Sequence, residues 1–176
     1  MPAAGIDHLA RSKKNRFAAV RLDRLVEHRD DDEWAAAALR SPLLHYVPLW
    51  RSRSLLTRGP DGTVALYLRP QQLDQPDRTQ PPTLLGRDQK RLYFAVSVTD
   101  AQKDAILKSH PDAEFTDLRR ASLDMAPKHA GILAYAKALH YWQHRHAFCG
   151  VCGNPNRLLS SGHRLVCTNT ECARES

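Results

Sequence analysis

The chain has 176 residues, 42% hydrophobic and 26% charged, which fits one ordinary domain plus a small satellite and excludes a disordered chain. Its 26 Lys and Arg against 19 Asp and Glu give a net charge of +7, a balance that attracts phosphates only if the basic residues cluster. The apolar runs are too short to span a membrane, and the N-terminus lacks an apolar stretch of signal-peptide length, so a cytoplasmic protein is expected.

The basic excess is densest between Arg11 and Arg29, where Lys and Arg face only Asp23 and Glu27. Charge alone is unspecific, and the plain reading of this stretch is a solvated surface. The opening is polar until Phe17-Ala-Ala-Val-Arg-Leu22. Acidic residues from Asp30 to Glu33 then precede the strong helix formers from Trp34 to Leu39, because carboxylates favour the positive end of a helix. Ser41-Pro42 closes that helix.

From Leu44 the texture changes to strands. Leu44–Trp50, Ser54–Thr57 and Val64–Arg69 are short apolar or β-branched runs, and Gly59-Pro-Asp-Gly62 is turn chemistry between the last two. Residues 70–82 hold four prolines among Gln and Asp and read as an exposed loop. Thr83–Gly86 and Arg91–Val98 flank Arg87–Lys90 as a hairpin, and the sum predicts a mostly antiparallel sheet. Thr99 or Asp100 caps a short helix ending near His110, and Glu114–Leu118 adds a strand. A longer helix follows from Pro127 to His146, with proline in the first turn, where its missing N–H does no harm. Ile132, Tyr135, Ala136, Leu139 and Trp142 recur on one face of it as a packing stripe, with Leu133 and Tyr141 off that stripe.

All four cysteines fall near the C-terminus. Cys149-Gly-Val-Cys152-Gly153 sets two sulfurs on a tight turn, with glycine where a positive φ is needed. Cys167-Thr-Asn-Thr-Glu-Cys172 is a looser second pair. Between them Asn156–Leu159 and His163–Val166 can pair around Ser160-Ser-Gly162. Two thiolate-bearing turns joined by a hairpin predict a zinc ribbon, in which Cys149, Cys152, Cys167 and Cys172 close the tetrahedral shell of one structural Zn²⁺. Two disulfides, a redox Cys-x-x-Cys, or His146 or His163 in place of one cysteine are the alternatives. So small a unit lacks the core to fold without metal.

The run from Ala134 to Gly153, a helix ending in Tyr141-Trp-Gln-His-Arg-His-Ala-Phe-Cys149, resembles the helix-to-ribbon junction of the Nudix-type NADH pyrophosphatases. Leu84-Leu-Gly86 and Tyr93-Phe-Ala-Val-Ser-Val98 resemble that family's N-terminal domain. The resemblance implies an α+β fold, a mostly antiparallel sheet with flanking helices, followed by a small zinc ribbon. It divides the chain into a Nudix-like domain over 1–126, a connecting helix over 127–146 and the ribbon over 147–176.

Family members cleave the pyrophosphate of NAD(H), and some remove NAD caps from RNA, with Mg²⁺ or Mn²⁺ held by the glutamates of a Nudix box. In this chain no glycine has a glutamate six positions later and no two glutamates are adjacent. The expectation is therefore a non-catalytic portion, inactive alone, with the catalytic domain and its Mg²⁺ or Mn²⁺ absent from this chain. The resemblance also implies a homodimer and, for the full-length parent, NAD(H) or NAD-capped RNA as partner. The alternative is a stand-alone ribbon that binds RNA or a protein. Against it, residues from Cys149 onward include no Phe, Tyr or Trp to stack on bases.

Overall fold

The computed structural model describes Phe17, residues 22–60, 62–73 and 80–175. Most of the basic stretch, the segment from Ala18 to Arg21 and residues 74–79 of the proline-rich loop lie outside the described residues.

Helix α1 spans Asp32–Ala38 and starts as the acidic run demands: the Asp31 carboxylate accepts from Trp34 N, satisfying a free helix donor. Strands β1 (Leu44–Trp50), β2 (Arg53–Gly59) and β3 (Gly62–Ala65) follow, then β4 (Thr83–Arg87) and β5 (Leu92–Ser97). Helix α2 (Asp100–Ser109) begins with a reciprocal cap between Thr99 and Gln102. Strand β6 (Glu114–Thr116), a single turn α3 (Leu118–Ala121) and helix α4 (Pro127–Arg145) complete the larger unit, and β7 (Asn156–Leu159) and β8 (Arg164–Cys167) form a separate two-stranded hairpin.

The main sheet runs β3-β2-β1-β5-β4, with β6 on the other side of β2. Its neighbours are antiparallel except β1 and β5, which run parallel from Leu44↔Leu92 to Leu49↔Ser97. The fold class is α+β as expected, with a mixed sheet. The parallel pair is invisible in the strand pattern, because both strands are mostly apolar, with only His45 and Ser97 polar, and carry no sign of direction. Continuous apolarity is instead the mark of strands buried on both faces.

Alternation along β5 makes this explicit. Leu92, Phe94 and Val96 join a core with Tyr46, Ile106 and Phe115 on one face, the side of α2. Tyr93 and Ala95 join Val47, Leu49, Ile132 and Ala136 on the other, under α4. Each fully buried leucine in these layers contributes about 2 kcal/mol relative to an exposed one.

Three readings are corrected here. Leu133, placed off the packing stripe of α4, is fully buried with Ile132, so the buried arc of this helix is wider than the stripe. Trp142 is only partly buried. The loop after residue 70 is not simply exposed: Pro70–Gln72 forms a 3-10 turn and Leu73 is buried in the core under the sheet. The expected strand Val64–Arg69 is strand only as far as Ala65, with Leu66 N still donating to Leu55 O of β2 at 3.1 Å; beyond it Leu68 bonds Tyr46 instead, both ways, at 2.8 and 3.0 Å.

Asp88 ties the β4–β5 turn to α4. It accepts from the Lys90 and Arg91 amides, the Tyr93 hydroxyl and the Lys128 ammonium, at 2.7 to 3.0 Å. Burial alone would raise its pKa, but Lys128 and the other three donors outweigh it and hold the carboxyl down at about 2.

Candidate metal centre

Strands β7 and β8 pair from Asn156↔Cys167 to Leu159↔Arg164, and this register sets the start of one strand beside the end of the other. Each of the two turns that carry cysteines is closed by backbone bonds. In the first, Cys149 N donates to Asn154 O at 2.7 Å and Gly153 N to Cys149 O at 2.9 Å. Gly153 has φ +74, the left-handed geometry the sequence reading required of it. In the second, Cys167 N donates to Arg174 O and Ala173 N to Asn169 O. Ala173 takes the equivalent left-handed place, at φ +42, without being glycine.

These turns bring Cys149, Cys152, Cys167 and Cys172 together, with all four sulfurs within 4.8 Å of one another. Cys149 Sγ lies 3.8 Å from Cys172 Sγ, and Cys152 Sγ lies 3.4 Å from Cys167 Sγ. A disulfide requires about 2.05 Å, and all four cysteines are free. A tetrahedral cage with Zn–S bonds of about 2.3 Å has sulfur–sulfur edges of about 3.8 Å, so the four residues fit a metal ion of that kind.

The electrostatics favour a cation as well. Hydrogen bonds from the Asn154 backbone and side-chain amides and from Cys167 pull Cys152 down to about 6, a thiolate at neutral pH. Desolvation pushes Cys167 up to about 12. Grouped thiolates repel one another, and a divalent cation removes that conflict.

Neither histidine weighed as a substitute ligand belongs to the group. His146 donates from Nδ1 to Trp142 O at 2.8 Å, capping α4. His163 donates from Nε2 to Leu84 O at 2.6 Å, attaching the hairpin to the main sheet. Sequence reasoning missed three supporting residues. Asn154 and Asn169 shape the turns, and asparagine just after a Cys-x-x-Cys-Gly run is a signal that points to the first. Gln143 has no sequence signal: its Nε2 donates to Thr83 Oγ1 and to Gly162 O, both at 2.8 Å, joining α4, β4 and the hairpin.

Residues 17–142 match the family described as the NADH pyrophosphatase-like rudimentary NUDIX domain. The chain belongs to this family. It is also similar to the NAD-capped RNA hydrolases of Homo sapiens and Macaca fascicularis, at 24% identity each, and of Pongo abelii, at 23%. Each of these alignments covers 90% of this chain but 41% of the relative, so the chain spans about two-fifths of the length of the curated relatives it matches. No helix among the described residues is long and apolar enough to cross a membrane.

Proposed function

We propose that this chain is the non-catalytic, zinc-bearing portion of an NAD(H) pyrophosphatase that hydrolyses NAD(H), and NAD-capped RNA as its relatives' names indicate. On this reading residues 1–126 are the Nudix-like domain, 127–146 a connecting helix and 147–176 a zinc ribbon. The observation that carries it is the four-sulfur cluster sitting directly behind a domain of the matched family. Zn²⁺ would be held by Cys149, Cys152, Cys167 and Cys172. Four thiolates leave it no open position, so it would supply folding energy rather than chemistry. Mg²⁺ or Mn²⁺ chemistry needs clustered carboxylates, and the five glutamates of this chain, at 27, 33, 114, 171 and 175, are scattered. Four unoxidised thiols suit a reducing, cytoplasmic setting.

The test is elemental analysis and assay of the same preparation, purified without chelator. One zinc per chain is expected, with no release of nicotinamide mononucleotide from NADH in excess Mg²⁺ or Mn²⁺. A zinc ratio near zero or two, or hydrolysis that persists through stringent purification, overturns the reading.

The same proposal includes a homodimer. Its support is a set of exposed apolar side chains near the end of α4 and in the first cysteine turn: Tyr141, Phe148 and Val151 are 57, 66 and 71% exposed. Sedimentation at tens of micromolar should show a dimer; a purely monomeric boundary removes this part.

A further inference from the structure

The four sulfurs of the candidate metal centre are not equally reachable. Cys149 and Cys167 are buried and Cys172 is partly buried, while Cys152 is exposed. An oxidant in solution therefore meets Cys152 first, because access decides which cysteine of a group reacts. The sulfur contacts are ordered too. Both contacts of hydrogen-bond length run between the two turns, from Cys152 Sγ to Cys167 Sγ at 3.4 Å and from Cys149 Sγ to Cys172 Sγ at 3.8 Å. Cys152 thus has a buried thiol held against it. A disulfide of about 2.05 Å needs a further approach of only about 1.3 Å.

The second turn depends on the four-sulfur cage more than the strands do. Thr168, Thr170, Glu171 and residues 173–175 are exposed. Ala173 sits at φ +42, a left-handed conformation that costs a residue other than glycine. Cys172 N and Ala173 N donate to Asn169 O at 3.1 and 2.8 Å, a closure within the turn itself. The Cys172 side chain ties this turn across to Cys149. By contrast, β7 and β8 pair over four residues each and are fastened to the main unit by His163 and Gln143.

We propose that Cys152 is an oxidation site, the sensing thiol of a reversible switch in which a hydroperoxide joins it to Cys167 and opens the cage. The inference rests on the zinc reading above only for the ion that is set free; the pairing stands on access and on the 3.4 Å contact. Cys152 Sγ attacks the peroxide, the O–O bond breaks, and an alcohol or water leaves. Cys167 Sγ then attacks the sulfenic sulfur; the S–S bond forms, the S–O bond breaks, and water leaves. Each leaving oxygen takes one proton, from a thiol or from solvent. The two sulfurs lose two electrons and the peroxide gains them. Cys149 and Cys172 remain as thiols, two of the four donors a closed zinc shell needs, so the ion is released. The new bond spans the hairpin, and β7 and β8 stay paired and docked while the second turn opens.

The experiment treats the full chain, purified without chelator, with one equivalent of hydrogen peroxide. Remaining thiols are alkylated, unreduced peptides are mapped by mass spectrometry, and released zinc is read with a metallochromic dye. The Cys152–Cys167 link should exceed any other pairing about tenfold, with one zinc released per link. Amide exchange at Cys172 and Ala173 should quicken at least tenfold while that of β7 and β8 holds. Dithiothreitol with added zinc should restore the starting state. A main product linking Cys149 to Cys152 or to Cys172, oxidation of Cys152 that stops at the sulfinic acid, or four unreacted thiols after ten equivalents overturns the proposal. Zinc near zero at the outset counts against the metal reading instead, and the peptide map still decides the pairing.

Discussion

Replacing Cys152 with Ser should lower bound zinc from one per chain to below a tenth and melt the β7–β8 hairpin while the main sheet stays folded. The hairpin owes little to its own core: within it Leu165 and the sulfurs of Cys149 and Cys167 are the principal buried apolar groups. Structural Zn²⁺ in units of this size contributes about 10–16 kcal/mol, far more than that burial. Cys152 is the exposed member of the cluster, so a serine there disturbs no packing and isolates the ligand effect. Hydrogen exchange reads the result. The amides of β7 and β8 should lose protection, while those of β1 and β5 keep it, because both faces of the main sheet are covered by helices rather than by the hairpin. Some loss of sheet stability is expected from the His163 and Gln143 bonds that end with the hairpin. Zinc retained near one equivalent would remove Cys152 from the ligand set.

Gly162→Ala should undock an otherwise intact hairpin and cost about 3 kcal/mol. Two effects add at this position. Gly162 sits at φ +90, where a side chain is strained by roughly 1–3 kcal/mol. An added Cβ would also drive into the Thr83 side chain, 2.7 Å from its Cγ2, and Thr83 cannot retreat because it is buried in β4 and hydrogen-bonded to Gln143. Gly150→Ala is the control: a Cβ there meets nothing within 4 Å, so its melt should match the parent. Gly162→Ala melting with the parent, in a thermal scan of the zinc-loaded protein, would show that the hairpin does not depend on the Thr83 contact.

The cysteine turns, the hairpin between them and the capped starts of α1 and α2 were all legible in the sequence, because each is governed by neighbours a few residues apart. Asp31 finds Trp34 N, Thr99 finds Gln102 N, and the Gly153 conformation follows from the turn it closes. The same locality explains the edges that were misjudged. Whether β3 continues past Ala65 depends on whether Leu68 is claimed by β2 or by Tyr46, and Tyr46 is more than twenty residues away.

What the sequence by itself determined is therefore most of the elements and the grouping of the four cysteines, since short-range propensity and turn chemistry govern those. The tertiary structure alone decided that β1 and β5 run parallel, that Leu133 is core, and that Gln143, Thr83 and His163 clamp the hairpin to the sheet. The hydrogen bonds of that clamp join residues 19 to 79 positions apart. An apolar strand carries no mark of its partner's direction, and a lone Gln or His carries none of the carbonyl it will meet. Only the packed chain supplies them.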